Sequence, residues 1–111
     1  FGPRTGKLWE SEHGPRGGDE INLPRRGLNY GWPVVTHGIN YSGQPIPEAR
    51  GKAQPGMEPP HFVFEVSPAL SGMAFYTGRP GQPWNDSLFL GALAQRQLIR
   101  LQLQGDRVVA E

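Results

Sequence analysis

The stretch from Glu12 to Glu20 contains the densest group of residues in this sequence that could support chemistry. Three carboxylates, those of Glu12, Asp19 and Glu20, flank a glycine- and proline-rich run at 14–18 whose carbonyl groups are potentially free. Calcium takes roughly six to eight oxygen ligands, often from the backbone, so this composition suits a calcium site. The stretch lacks the Gly-Lys-Ser/Thr ending of a phosphate loop and the aspartate ladder of an EF-hand, which argues against both. An ordinary solvated loop has the same composition, and the residues alone leave both interpretations open.

A second candidate site is the aromatic-studded segment at 29–56. Tyr30, Trp32 and Tyr41 stand there among many glycines and prolines. Aromatic faces stack well on planar ring systems, so these three side chains could line a pocket for a planar ligand. A loop this long is uncommon in a compact domain unless it is functional. The alternative is that buried aromatic side chains anchor the loop on the core.

Histidine and cysteine offer no local metal motif. The chain has no cysteine, which excludes disulfides and thiolate metal sites and fits the cytoplasm and the periplasm equally. The three histidines, His13, His37 and His61, are far apart along the chain and match no zinc spacing. Each is interpreted as a surface or packing histidine.

Composition narrows the class of protein further. The 111 residues include 11 basic and 10 acidic ones, and the resulting net charge of +1 predicts no general attraction to nucleic acid or to an anionic membrane. No apolar run approaches the roughly 20 residues of a membrane span. Sixteen glycines and 12 prolines border on the composition of disordered chains, but 11 aromatic residues supply core surface that such chains lack. Short strands joined by tight turns are therefore expected.

Alternation of apolar and polar residues predicts the elements that must position these candidates. Gly78 and Pro80 end one of the predicted strands, and Gln104, Gly105 and Asp106 form a hairpin turn. Residues 92–104 contain no glycine or proline, so a helix is an alternative there, although the alternation at 99–103 favours a strand. Short strands at regular spacing are typical of a propeller blade meander. The predicted strands cover 7–11, 19–23, 61–66, 71–77, 87–93, 99–103 and 108–109.

Taken together, the motifs resemble the soluble, PQQ-dependent aldose sugar dehydrogenases of the glucose/sorbosone dehydrogenase family. The resemblance spans nearly the whole chain, and the motifs occur in the family's order. They are Leu-Trp-Glu-Ser-Glu-His-Gly-Pro-Arg-Gly-Gly-Asp-Glu-Ile-Asn at 8–22, Asn-Tyr-Gly-Trp-Pro at 29–33, Gly-Ile-Asn-Tyr-Ser-Gly at 38–43, Ser-Pro-Ala at 67–69, Ser-Gly-Met-Ala-Phe-Tyr at 71–76 and Leu-Phe-Leu-Gly-Ala-Leu at 88–93.

The resemblance implies an all-β fold, part of a six-bladed β-propeller with fewer than two complete blades, antiparallel meander strands and long functional loops. Residues 1–60 are expected to form the calcium and cofactor loop region, and residues 61–111 the blade strands. The implied enzyme oxidises the C1 hydroxyl of aldose sugars to lactones, with pyrroloquinoline quinone (PQQ) as the hydride acceptor and calcium as a Lewis acid. An external acceptor then takes the electrons, and the implied location is the periplasm or outside the cell.

Residue by residue, the resemblance assigns metal and cofactor positions. Gly14 and Pro15 match backbone carbonyls that hold the catalytic calcium, and Glu20 and Tyr30 match ligands of a second, structural calcium, the tyrosine through its main-chain oxygen. Tyr41 matches a quinone-contacting position.

The end of one strand carries the remaining cofactor assignment. Ala92 and Leu93 fall at a cofactor-side strand end, where the family often has a lysine that pairs with a quinone carboxylate. This sequence has Ala94 at that position. The departure keeps a second interpretation open, that of a calcium-stabilised propeller module that binds or supports without quinone redox activity.

The resemblance also implies what the chain lacks. The family's general-base histidine lies upstream of Phe1, so we expect no catalytic residue in this chain, and His13 is expected to shape the calcium loop instead. The beginning of the chain resembles a turn between strands. An internal piece of a propeller leaves sheet faces and strand edges open. We therefore expect the 111 residues alone to be inactive, and either to self-associate or to be only partly ordered at their ends. A clean monomer by light scattering that unfolds sharply would contradict this expectation.

Overall fold

Seven strands form the regular structure of the described residues, and all of them pair antiparallel. The computed structural model describes residues 1–79 and 81–111. Within these residues there is no helix, so the helix considered for 92–104 is wrong and the all-β prediction is confirmed. It follows that no helix in the described part of the chain is long and apolar enough to cross a membrane. The strands are β1 (Glu10–Glu12), β2 (Glu20–Asn22), β3 (Phe62–Val63), β4 (Leu70–Tyr76), β5 (Ser87–Ala92), β6 (Gln97–Gln104) and β7 (Arg107–Ala110).

The second half of the chain forms a four-stranded sheet in the order β4-β5-β6-β7. Each strand pairs with its sequence neighbour because the connections are short, and the β6–β7 turn uses Gly105 at a φ of 63°. Pro80, which the sequence indicates as one of the residues ending β4, lies outside the described residues. A four-stranded antiparallel meander is the unit of a propeller blade. With three strands in the other sheet, the described residues make up fewer than two complete blades, as the family resemblance implies.

The first half forms a three-stranded sheet in the order β1-β2-β3. The glycine-rich loop at 13–19 joins β1 to β2, and the long segment at 23–61 separates β2 from β3. That segment has no strand of its own, but Arg16 and Ile39 form an isolated antiparallel bridge. The bridge brings the aromatic-studded segment against the glycine-rich loop.

The core lies where the two sheets face each other. The buried apolar side chains alternate with half-buried residues on β5 and with half-buried or exposed ones on β6, and Leu88, Leu90 and Leu101 are fully buried. From the first sheet, Trp9 and Ile21 pack into the same cluster. Burial of this apolar area is the main force that fixes one sheet against the other.

Two sets of contacts define opposite ends of the packed sheets. At one end the backbone N–H of Leu70 donates to Asp19 in the glycine-rich loop, and that of Leu93 donates to the carbonyl of Ala69. At the other end Lys7 pairs with Asp106 at 2.6 Å. The glycine-rich loop and the end of β5 therefore share one edge of the fold.

Candidate functional site

A cavity of about 340 Å³ opens beside the glycine-rich loop. It lies between that loop and the aromatic-studded segment, which the bridge at Arg16 and Ile39 holds together. The cavity is lined by one carboxylate, one imidazole, two residues of the glycine-rich loop that can offer their backbone carbonyls, and two aromatic rings. These residues are Glu12, His13, Gly14, Pro15, Trp32 and Tyr41. Trp32 and Tyr41 are 54% and 73% exposed, so their ring faces are available to a ligand. Such a cavity can hold a cation at its loop side and a planar group between its rings.

Close backbone contacts explain why the loop is rich in glycine. A Cβ atom built on Gly14 would lie 2.2 Å from the carbonyl oxygen of Gly17, and one on Gly18 would lie 2.6 Å from the backbone nitrogen of Gly38. Gly18 also has a φ of 75°, in the left-handed region. Only glycine fits positions where the backbone folds back on itself this tightly. The sequence thus dictates a loop that is closely packed rather than extended into solvent.

Hydrogen bonds hold the backbone of the loop on both sides of Gly14 and Pro15. The backbone N–H of Gly14 donates to Oδ1 of Asp19 at 2.9 Å. Past Pro15, Arg16 exchanges two backbone hydrogen bonds with Ile39, of 2.8 and 2.9 Å. The two carbonyls that the sequence analysis assigns to calcium are therefore carried by a stretch of chain with little freedom to move.

An acidic face adjoins the cavity on β1 and β2. The register places Glu10 opposite Asn22 and Glu12 opposite Glu20, which puts all four side chains on one face. Burial, as the largest cause, and the negative charges of Glu12 and Glu10 together raise the pKa of Glu20 to about 7, although a hydrogen bond from Asn22 opposes the rise. Burial also raises the pKa of Glu12, with a contribution from Glu10. The fold therefore holds these carboxylates where their negative charge is poorly compensated.

Asn22 lies on the same acidic face, and one polar atom of its side chain has no hydrogen-bond partner. Its side chain is 1% exposed, and its Nδ2 lies 3.4 Å from a carboxylate oxygen of Glu12 and of Glu20. Its Oδ1 is buried without a hydrogen-bond partner. Carboxylate and amide oxygens are the ligands that a hard cation takes, and a buried polar atom without a partner is uncommon.

The described residues contain no group of three histidine, cysteine, aspartate or glutamate side chains arranged to hold a metal ion. A cation here would therefore depend on backbone carbonyl and amide oxygens in addition to carboxylates. Calcium accepts such mixed oxygen sets.

The structure brings together some of the residues assigned from the sequence and separates others. Gly14, Pro15 and Tyr41 line the same cavity. Ala92 is buried in the core, where its side chain packs with the other apolar residues of β5, while Leu93 just beyond it is 65% exposed. Both lie at the same edge of the fold as the cavity, but neither lines it.

Glu20 and Tyr30 point to different surroundings. The carboxylate of Glu20 lies beside Asn22 on the acidic face. The Tyr30 hydroxyl donates to the carbonyl of Leu23 at 2.9 Å and accepts from the backbone N–H of Arg25. These bonds engage the hydroxyl of Tyr30, so its main-chain oxygen is the atom that remains for a metal.

A larger cavity, of about 510 Å³, is lined in part by the Tyr30 ring. Its charged groups are already paired, Lys7 with Asp106 and Arg25 with Glu58 at 2.9 Å. Paired surface charges offer little to a cation, and the rest of the wall is mainly proline and leucine. The smaller cavity is the better candidate because its carbonyl and aromatic groups are not engaged with each other.

Glu12, His13 and Trp32 also line the smaller cavity, although the family resemblance assigned none of the three as a ligand of calcium or of the quinone. For Trp32 a signal was present, since it belongs to the aromatic group that could line a pocket for a planar ligand. For Glu12 and His13 the signal is their position next to Gly14, because residues at the entrance of a binding loop face the same space as the loop.

The sequence and the fold of this chain are both similar to those of known dehydrogenases. The sequence model of the family described as Glucose / Sorbosone dehydrogenase matches residues 1–111. The chain is 51% identical over 109 residues to aldose sugar dehydrogenase YliI of Escherichia coli strain K12. The matched region covers 98% of this chain and 29% of that protein.

Solved structures agree with the sequence comparisons. A glucose dehydrogenase crystal structure matches with a TM-score of 0.94 and 64% identity, covering 97% of this chain and 31% of the other. The PQQ-bound aldose sugar dehydrogenase of Streptomyces coelicolor matches with a TM-score of 0.64 and 27% identity, covering 95% and 25%. The chain thus spans less than a third of the length of each of these relatives.

Proposed function

This chain belongs to the Glucose / Sorbosone dehydrogenase family, and we propose that it forms the calcium- and quinone-binding section of a PQQ-dependent enzyme that oxidises the C1 hydroxyl of aldose sugars to lactones. The observation that carries the proposal is the cavity in which Gly14 and Pro15 meet Trp32 and Tyr41. In the intact protein we place the two sheets in a six-bladed propeller, with this cavity at one mouth of the ring. The sugar and an external electron acceptor are the expected partners, and the periplasm or the cell exterior is the expected location.

The loop side of the cavity fits a catalytic calcium. The carbonyls of Gly14 and Pro15 would hold it, and the tight packing of the loop limits how far they can move. A preorganised oxygen set costs less to order when the ion binds. His13, which is exposed beside them, would shape the mouth of the loop.

The aromatic side of the cavity fits the quinone. Tyr41 and Trp32 present exposed rings to the same space, and rings of this kind stack on planar cofactors. When bound, PQQ supplies the hydride acceptor and calcium polarises it. Ala92 and Leu93 would border the cofactor from the end of β5, Ala92 through its backbone because its side chain is in the core. With Ala94 in place of a lysine, this position offers no positive charge to a quinone carboxylate.

A second calcium would be structural and would sit at the acidic face. Glu20 would supply a carboxylate and Tyr30 its main-chain oxygen. The poorly compensated carboxylates and the unpartnered Oδ1 of Asn22 support an ion there.

The function is tested on the full-length protein that carries this chain. After treatment with a chelator, addition of calcium and PQQ together is expected to restore dye-linked oxidation of glucose or other aldoses, while either addition alone is not. Mass analysis of the product is expected to show the lactone. Absence of oxidation across a broad set of aldoses, with PQQ and calcium present, would contradict the proposal. The general base lies outside these residues in this proposal, so the 111-residue chain alone is expected to show no turnover.

Replacing Tyr41 tests the aromatic side of the cavity. Tyr41→Ala in the full-length protein is expected to weaken PQQ binding by about tenfold, because loss of one stacking face removes roughly 1–1.5 kcal/mol. Titration of PQQ at saturating calcium, followed by restored activity, measures the change. Trp84→Ala removes a comparably exposed ring that does not line the cavity. An equal loss of PQQ affinity in both variants would sink the assignment of Tyr41.

Replacing Glu20 tests the structural calcium. Glu20→Gln removes one of three neighbouring negative charges, so without divalent cations the variant is expected to unfold at the same or a slightly higher temperature. With calcium at about 100 times its dissociation constant, a bound ion adds about 2.7 kcal/mol of stability to the native protein, and the variant is expected to lose most of that gain. Thermal unfolding with and without calcium measures both. Glu65→Gln, at an exposed glutamate, should keep the full calcium response.

A further inference from the structure

The side chain of Asp19 is completely buried although it lies in the glycine-rich loop. Its Oδ1 accepts from the backbone N–H of Gly14 at 2.9 Å and from the hydroxyl of Ser67 at 2.5 Å, and its Oδ2 accepts from the backbone N–H of Leu70 at 2.9 Å. Its own backbone N–H donates to the Ser67 hydroxyl at 3.0 Å. A buried carboxylate is tolerated only when donors surround it in this way. Asp19 therefore forms a buried, hydrogen-bonded junction with Gly14, Ser67 and Leu70, and it is not a surface charge.

This junction connects the calcium loop to the strand end at the same edge of the fold. Through Gly14 it holds the residue whose carbonyl precedes Pro15. Through Leu70 it holds the start of β4, and the neighbouring Ala69 accepts a hydrogen bond from Leu93 at 2.9 Å. One carboxylate thus links two segments that both border the cofactor in the proposed function.

The geometry points to Asp19 as a positioning residue that holds the Gly14 and Pro15 carbonyls in place for calcium. The inference rests on the proposed function, since it concerns the same cation. Asp19 does not line the cavity and contacts no ligand there. It acts through the Gly14 N–H, while the bridge between Arg16 and Ile39 holds the other side of the two carbonyls. With the Gly14 anchor gone, the carbonyl pair would be fixed at only one end.

Asp19→Asn in the full-length protein provides the test. Asparagine has an NH2 group in place of one carboxylate oxygen of Asp19. A donor of Gly14, Ser67 or Leu70 would therefore face another donor instead of an acceptor. Calcium titrated by calorimetry into chelator-treated protein is the readout, and the loop site is identified as the one lost in Gly14→Ala. Changes behind a metal ligand typically weaken the metal by about 10–100-fold, so the dissociation constant at this site is expected to rise by at least about tenfold. Ser67→Ala, which keeps the carboxylate but removes one donor, is expected to raise it by about two- to fivefold and to remain folded if Asp19→Asn does not.

The control separates positioning from loss of stability. Leu101→Ala destabilises the core without contact to the loop, and below its unfolding temperature it should leave calcium affinity within about twofold of the unchanged protein. An unchanged dissociation constant in folded Asp19→Asn, or in Ser67→Ala if the former does not fold, would overturn the inference. An equal rise in Leu101→Ala would overturn it as well. Failure of the unchanged protein to bind calcium at this loop would instead overturn the proposed function together with the inference.

Discussion

Gly14→Ala is expected to abolish calcium binding at the glycine-rich loop and to reduce aldose oxidation by at least about 100-fold at a fixed calcium concentration, since a misplacement of about 1 Å alone can cost that much. The physical reason is steric. The added Cβ would lie 2.2 Å from the carbonyl oxygen of Gly17 and 2.9 Å from the carbonyl carbon of Gly18. Both contacts are with backbone, so no side chain can swing away, and the loop must shift. The shift moves the carbonyls of Gly14 and Pro15 themselves. Calcium titration and initial rates of dye-linked oxidation measure the two effects.

Gly72→Ala is the matched control for the glycine substitution. Gly72 lies in β4, has no positive φ, and has no atom within 4 Å of a built Cβ. Alanine there should be neutral or slightly stabilising, since glycine in a strand costs roughly 0.5–1 kcal/mol relative to alanine. Calcium affinity in Gly14→Ala equal to that in Gly72→Ala would show that the loop does not form the cation site. Because Gly14→Ala also strains the loop, its secondary structure should be verified by circular dichroism before the titration.

The second sheet could be predicted from the sequence because a single physical rule governs it. Ile99, Leu101 and Leu103 alternate with polar residues, and a strand with one buried face needs that period. The turn at Gly105 then fixes the pairing of β6 with β7. The helix alternative for this region depended only on its content of helix-forming residues. The alternation of apolar and polar residues, which places these three apolar side chains on one buried face of a strand, outweighs that content.

The strands of the first sheet were predicted with poorer bounds. The segment at 7–11 was expected to be a strand centred on Leu8 and Trp9, but β1 covers Glu10–Glu12. A turn in which the N–H of Gly2 donates to the carbonyl of Lys7 at 2.7 Å occupies the preceding residues. Trp9 is buried through edge contacts with rings on other elements and not through a strand ladder. Tertiary packing of this kind leaves no periodic trace in the sequence.

The candidate site was accessible from the sequence only in part. Composition was compatible with a calcium loop but also with an ordinary solvated loop, and the family resemblance supplied Gly14, Pro15 and Tyr41. The role inferred for Asp19 was not readable, because its partners Ser67 and Leu70 lie 48 and 51 residues away. Local sequence patterns report neighbours within a turn or a strand. A hydrogen-bond network between distant segments becomes visible only once the fold has placed them together.

Leu101→Ala is expected to lower the free energy of unfolding by about 2–5 kcal/mol, the range for deleting a large buried aliphatic side chain. Leu101 is fully buried and lies directly opposite Leu88 in the β5–β6 ladder, itself fully buried, so the lost methyl groups leave a cavity between well-packed strands. Denaturant unfolding of the full-length protein, followed by circular dichroism, measures the loss as the difference between the variant and the unchanged protein. Leu98→Ala, on the same strand at 69% exposure, should stay within about 0.5 kcal/mol. If Leu101→Ala also cost less than about 1 kcal/mol, the core would not lie between the sheets, and the edge of the fold that carries the calcium loop would lack its support.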